Sequence, residues 1–133
     1  YKNAQLYDTL FFVKITGKIL HGAGRGRALG FPTLNIEVED LDLEFGVYAA
    51  WVDLNGKRYQ GAMSYGSRPT FDDMQPVLEV FVLNYSGDSY GEEATVEVVK
   101  KIREIKKFES VEALKTQIQA DVEEVRRLLL SPQ

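Results

Sequence analysis

The chain has 133 residues, a formal net charge of −4 and no cysteine. Its length is that of one domain, and 44% hydrophobic residues suit a packed core rather than a disordered chain. These values exclude disulfide staples, thiolate zinc sites and cysteine nucleophiles. They also argue against non-specific nucleic-acid binding, and no run approaches the roughly 20 apolar residues of a membrane-spanning helix.

Residues 1–10 are mixed and polar and read as an arm. No signal peptide is apparent, and the lack of cysteine fits a cytoplasmic protein. Phe11 to Leu20 is rich in aromatic and β-branched residues and reads as a strand. The single histidine, His21, reads as a loop residue. Four glycines, Gly22, Gly24, Gly26 and Gly30, then fall within nine residues, with Arg25 and Arg27 among them. Two readings stand side by side. Such a stretch is commonly a solvated connector. It is also a chain that can fold its uncovered amides around an anion, with guanidinium groups adding charge-assisted bonds to phosphate oxygens. It matches neither a P-loop nor a dinucleotide fingerprint.

Phe31-Pro32-Thr33-Leu34-Asn35 closes this stretch. Pro32 biases Phe31 towards an extended conformation, and Thr33 to Val38 reads as a second short strand. In an extended segment Thr33 and Asn35 share a face. They then offer two neutral oxygen donors of the kind Mg²⁺ accepts. Glu37 to Glu44 holds five acidic residues and reads as a solvated loop. Gly46 to Leu54 is a third strand, and Asn55-Gly56 is a strong hairpin signal. Lys57 to Tyr65 should therefore return as a fourth strand. Gly66 to Asp73 reads as a turn-rich loop.

Val77 to Tyr85 reads as the fifth strand. Alternation puts Leu78, Val80 and Val82 on one face and Val77, Glu79, Phe81 and Leu83 on the other. Glu79 is thus a carboxylate between apolar neighbours, either a solvent-facing charge or a base at an apolar rim. Ser86-Gly87-Asp88 makes a turn, and Ala94 to Lys101 is the sixth strand. Ser110 is a good N-cap with Glu112 in the first turn. Leu114, Ile118, Val122, Val125 and Leu129 then recur at helical spacing. Glu109, Asp121, Glu123, Glu124, Arg126 and Arg127 sit off that stripe. The pattern predicts a mainly β fold: a six-stranded antiparallel barrel (residues 11–101) with a helix (110–130) packed on it by its apolar face.

Gly26-Arg27-Ala28-Leu29-Gly30-Phe31-Pro32-Thr33-Leu34-Asn35 resembles the Gly-Arg-x-x-Gly-Phe-Pro-Thr-x-Asn signature of riboflavin kinases, which phosphorylate riboflavin to FMN. Leu34 stands where the family usually has alanine. Leu78-Glu79 followed by Gly87 and Tyr90-Gly91 is similar to the family's pattern around its general base. Gly46-Val47-Tyr48 and Gly66-Ser67-Arg68-Pro69-Thr70-Phe71 also fit, with Ser64 in place of an asparagine. Asn84-Tyr85 replaces an Asp-Phe pair, and Ser89 replaces a leucine. Ile102-Arg103-Glu104 and Lys107-Phe108 resemble a family segment that lies against the isoalloxazine ring, although the family's glutamate there falls on Ile105.

The resemblance covers nearly the whole chain and implies a six-stranded barrel with a C-terminal helix. It implies Mg²⁺-dependent phosphoryl transfer from ATP to the 5′-hydroxyl of riboflavin. Thr33 and Asn35 would hold the metal, and Glu79 would be the base. Gly22, Gly24, Arg25, Gly26, Arg27, Gly30 and Thr33 would hold the nucleotide phosphates. Arg103, Glu104 and Phe108 would contact the flavin. In bacteria this domain is commonly joined to an FMN adenylyltransferase, so a covalent partner of that kind is expected in a full-length protein. Alternatives from other classes are a non-catalytic flavin or nucleotide module and a barrel that stacks single-stranded nucleic acid on Tyr48, Trp51 and Tyr59.

Overall fold

The computed structural model describes residues 10–20, 30–69, 74–87 and 89–129. Six strands, β1 (Leu10–Leu20), β2 (Thr33–Ile36), β3 (Gly46–Leu54), β4 (Lys57–Pro69), β5 (Met74–Val82) and β6 (Glu93–Arg103), precede one helix, α1 (Val111–Leu128). The strands form a closed barrel in the order β1-β2-β5-β4-β3-β6, with every pair antiparallel. β3, β4 and β5 make a meander, and β2 lies beside β5 rather than beside β3, which is Greek-key connectivity. Of the arm expected over residues 1–10, the first nine residues lie outside the described residues, as do His21 and Thr70 to Asp73, and Leu10 begins β1.

Alternation decides what fills the barrel. Ile15 and Ile19, Leu34 and Ile36, Leu78, Val80 and Val82, and Ala94, Val96 and Val98 all point into one core with Tyr48, Val52, Met63 and Tyr65. A second, smaller core lies outside the barrel wall. There Val122 and Val125 of α1 and its C-cap residue Leu129 close over Ala49 and Leu83, with Trp51, Ala62, Phe81, Val99 and Ile102 packed around them. Ser110 caps the helix as expected: its hydroxyl accepts from the Ala113 amide at 3.0 Å. The Gln60 side-chain amide donates to the Leu129 carbonyl at 2.7 Å and ties the far end of the helix to β4. These two cores remove the nucleic-acid platform suggested by the aromatic residues. Tyr48 is buried in the barrel, and Trp51 lies among the second core with the Arg58 guanidinium over its ring.

Element limits differ from the sequence expectation in several strands: β1 begins at Leu10 rather than Phe11, and β2 ends at Ile36 rather than Val38. β4 runs on through Gly66, Ser67, Arg68 and Pro69, where a loop was expected, because these residues pair with Val77, Pro76, Gln75 and Met74. β5 correspondingly starts earlier and ends at Val82; Leu83-Asn84 turns the chain, with Asn84 at φ 59°. β6 extends to Arg103, two residues past the expected end. The Asn55-Gly56 hairpin is present, with φ of 50° and 78°, the positive values that a type I′ turn requires.

Gly61 marks a tightly packed part of the interior. A Cβ at this position would lie 2.7 Å from Val52 Cγ2 and 3.0 Å from Val80 Cγ1. Overpacking of this sort costs about 1–3 kcal/mol. Gly61→Ala should therefore lower the urea midpoint by that amount of stability with an unchanged m-value; an unshifted midpoint would show that β3 and β5 can spread at no cost.

Candidate active site

The strand register assembles the candidate residues. Asn35 of β2 lies directly opposite Glu79 of β5, and Thr33 lies opposite Phe81. Directly opposed residues in antiparallel strands hold their Cβ atoms about 4.5–5.5 Å apart. On the other side of β5, Glu79 faces Ser64 of β4; Ser64 faces Val47 of β3; and Val47 faces Arg103 of β6. Asn35, Glu79, Ser64, Val47 and Arg103 thus form one transverse row. Their neighbours Leu34, Ile36, Leu78, Val80, Met63, Tyr65 and Tyr48 point into the barrel, so the row lies on the outer wall. Leu34 faces the core, away from Thr33 and Asn35, as its position between them requires.

Thr33, Asn35 and Glu79 are each half-buried, neither sealed from solvent nor fully exposed. Phe81, two residues from Glu79 on the same face, is covered edge-on by Phe31, with ring centroids 5.5 Å apart. The apolar rim beside the carboxylate is therefore built from Phe31 and Phe81. Gly30 precedes it at φ +87°, a left-handed turn into Phe31. Gly22, Gly24, Arg25, Gly26 and Arg27 lie outside the described residues. Among the described residues no cluster of three or more histidine and acidic side chains could hold a metal. Thr33 and Asn35 present two neutral oxygen donors of the kind Mg²⁺ accepts, beside the Glu79 carboxylate. That ion commonly keeps several waters and is bound by one or two carboxylates with substrate phosphates.

At the other end of the row, Arg103 is held by α1. Its Nε and Nη2 donate to the two carboxylate oxygens of Asp121, both at 2.8 Å, and Gln117 donates to the same carboxylate at 3.0 Å. The Asp121 side chain is only 8% exposed. By sequence, Asp121 sits off the apolar stripe of the helix. The structure buries it, because a bidentate arginine partner satisfies it there. The Arg103 guanidinium also lies 5.8 Å from the centre of the Phe108 ring. Phe108 and Lys106 face the first half of α1 across a cavity of about 400 Å³, lined on the helix side by Glu112, Ala113, Thr116, Gln117 and Ala120. Arg103 and Phe108 are thus brought together, whereas Glu104 turns away to Lys101. From Glu79 to Arg103 is three inter-strand steps, roughly 14 Å along the sheet at the usual strand spacing.

Two residues at this end escaped the sequence reading. Asp121 carried a signal, an acid on the helix's buried side four residues after Gln117. Lys101 carried none, because a lysine at a strand end is ordinarily exposed.

The Arg103–Asp121 pair should be structural as well as local. Removing one partner of a buried pair costs about 3–5 kcal/mol. Asp121→Asn keeps the shape and one acceptor, so a loss near the lower end, about 3 kcal/mol, is expected in denaturant unfolding. A loss below about 1 kcal/mol, the value of a surface pair, would show that α1 is held by its apolar stripe alone.

Comparison with known proteins gives a consistent result. The family model for riboflavin kinase matches residues 10–129. A bifunctional riboflavin kinase/FMN adenylyltransferase of Pseudomonas fluorescens is 41% identical over 117 residues, covering 86% of this chain and 38% of that protein. The structure of riboflavin kinase from Trypanosoma brucei superposes with a TM-score of 0.63 at 28% identity, covering 90% of this chain and 81% of that one. A structure described as a macrolide-efflux protein from Streptococcus pneumoniae superposes with a TM-score of 0.81 at 34% identity, covering 86% of this chain and 38% of that one. The chain therefore spans well under half the length of the Pseudomonas fluorescens relative. Among the described residues, no helix is long and apolar enough to cross a membrane. With the riboflavin kinase family model matched across nearly its whole length, the chain belongs to the riboflavin kinase family.

Proposed function

We propose that this domain transfers the γ-phosphoryl group of ATP to the 5′-hydroxyl of riboflavin, giving FMN and ADP. The observation that carries the reading is the pairing of Asn35 with Glu79 across β2 and β5, with Thr33 on the same face. It puts neutral oxygen donors for a phosphate-bound cation beside a carboxylate for the attacking hydroxyl.

In the reaction the terminal ribityl oxygen bonds to the γ-phosphorus, and the bond from that phosphorus to the β,γ-bridging oxygen breaks. ADP leaves, and the hydroxyl proton passes to the Glu79 carboxylate. Thr33 and Asn35 are the residues that would hold Mg²⁺, which supplies charge neutralisation to the phosphates. Most of the rate should come from positioning and charge stabilisation, because phosphoryl transfer leaves little covalent work to the protein. Gly22, Gly24, Arg25, Gly26, Arg27 and Gly30 are assigned to the nucleotide phosphates on the strength of their motif.

The flavin ring is assigned to the cavity beside Phe108, with Arg103 behind it and Glu104 on the adjoining segment. The row from Arg103 to Glu79 then gives the length over which the ribityl chain reaches the base. This suits an elongated substrate with a flat apolar head and a hydroxylated tail. We take residues 1–133 as one kinase domain, cytoplasmic, with riboflavin and ATP as its small-molecule partners and with neither nucleic acid nor membrane as a partner. A covalent link to an FMN adenylyltransferase domain in the full-length protein is part of the same reading. The alternative, a flavin or nucleotide module without catalysis, is favoured by no particular contact in the site.

Steady FMN formation by the 133-residue chain from riboflavin and MgATP is the direct test; binding of both substrates without turnover would favour the non-catalytic module. Glu79→Gln removes the basic charge and keeps the shape. General-base assistance is typically worth about 10²–10⁴-fold, so turnover should fall by that factor while riboflavin affinity and melting temperature hold. Near-normal turnover in folded Glu79→Gln protein would leave transfer by positioning alone.

Thr33→Ala and Asn35→Ala should each raise the Mg²⁺ concentration needed for half-maximal rate, with little change in stability because neither side chain is buried. Titrating Mg²⁺ at saturating ATP checks this. A wild-type Mg²⁺ dependence in both variants would remove them from the metal site.

A further inference from the structure

Lys101 is a lysine whose side chain is 0% exposed. It sits at the mouth of the barrel, paired in register with Tyr48, and its stem occupies the space left by the missing side chain of Gly46. A Cβ on Gly46 would lie 2.6 Å from Lys101 Cε. Burial of an ammonium is costly unless carboxylates meet it. Two do: Nζ donates to Glu44 at 2.7 Å and to Glu104 at 3.0 Å. Burial would lower its pKa, but the hydrogen bonds to Glu44 and Glu104 outweigh that and hold it above the usual lysine value.

The two carboxylates come from different parts of the chain, and each is more than half exposed, 58% for Glu44 and 59% for Glu104. Neither therefore needs the ammonium in order to be solvated. Glu44 ends the loop that leaves β2, the strand of Thr33 and Asn35. Glu104 follows Arg103 and opens the segment that carries Phe108 across the cavity. The backbone carbonyl of Glu104 is held as well, accepting from Arg103 Nη1 at 3.0 Å. Tyr48 fixes the other partner from beneath, its hydroxyl donating to the Glu44 carbonyl at 2.6 Å. The ammonium thus joins the loop leaving the donor-side strand to the segment leaving β6.

We propose that Lys101 is a positioning residue for the acceptor site. By gripping Glu104 from a base anchored on Glu44 and Tyr48, it fixes the path of residues 104–108 and so the wall against which the flavin ring lies. This rests on the assignment of that segment to riboflavin. Lys101 itself touches no reacting atom. Its effect belongs on riboflavin binding and not on the chemical step.

The experiment measures riboflavin Kd by quenching of flavin fluorescence, together with kcat, KM for riboflavin, KM for MgATP and melting temperature. It uses the wild-type chain, Lys101→Met, Glu44→Gln and the double variant. Lys101→Met should raise riboflavin Kd and KM about tenfold, with kcat and the MgATP KM within about twofold of wild type. Glu44→Gln should raise riboflavin Kd about threefold, although Glu44 lies on the β2–β3 loop and not on the flavin segment. In the double variant Glu44→Gln should add nothing to Lys101→Met, because both act through one ammonium. A purely structural Lys101 would lower the melting temperature and leave the constants per folded molecule unchanged, and that result overturns the proposal. Additive effects on riboflavin Kd would overturn it too. Should Lys101→Met fail to fold, Glu44→Gln alone decides, an unchanged riboflavin Kd being the negative result. A wild-type chain that binds no riboflavin overturns the functional reading and this proposal together. A wild-type chain that binds it, with variants that bind it equally well, overturns this proposal alone.

Discussion

Leu34 and Ile36 of β2 and Leu78 and Val80 of β5 all point into the barrel core, and together they hold these two strands in a single register. A slip of one residue in either strand would turn that strand's two apolar side chains outwards and bring its Asn35 or Glu79 into the apolar interior. Burial therefore specifies the pairing of Asn35 with Glu79 without any direct attraction between them. The same logic extends across the wall. Val80, Met63 and Tyr48 fix β5, β4 and β3 in turn, and the outward-facing residues between them fall into the row that ends at Arg103. The geometry of the site is set by the side chains that do not belong to it.

The helix adds a second layer under different rules. Its C-terminal half is held by apolar contact over Ala49, Leu83 and their neighbours, while its middle is held by the Asp121–Arg103 pair. Its first half forms one wall of the cavity beside Phe108, while Ile118 packs against the second core. The exposed Glu112, Ala113 and Thr116 lack the bulk to fill the gap, and the space between helix and segment stays open.

Much of this was legible in the residues. Period-two alternation in Val77 to Leu83 gave the face of Glu79 correctly, and Asn55-Gly56 placed the hairpin. The helical stripe from Leu114 to Leu129 and the Ser110 cap also stand as read. The limits of β4 and β5 were not legible, because Gly66 and Pro69 are turn formers by intrinsic preference and only their pairing with Val77 and Met74 makes them extended. The acidic stretch before β3 was read as solvated from its charge. Its leucines Leu41 and Leu43 pack on the barrel core, and the Leu41 amide donates to the Tyr65 hydroxyl at 2.8 Å. Asp121 and Lys101 were missed for one reason. A buried charge is recognised by its partner, and Arg103 and Glu44, 18 and 57 positions from Asp121 and Lys101, become partners only through the fold.

Closing the sheet into a barrel also sets a timetable. The seam joins β1 to β6, as in the hydroxyl contact between Thr16 and Thr95, 79 positions apart in the chain. β3, β4 and β5 can pair with their sequence neighbours early, at small loop-closure cost. β1 has no sequence-local partner for most of its length and must wait for β6. During synthesis the first strand is made long before its neighbour leaves the ribosome. An unpaired, apolar β1 is thus the segment most open to misassociation, and the seam is where assembly of this domain is completed last.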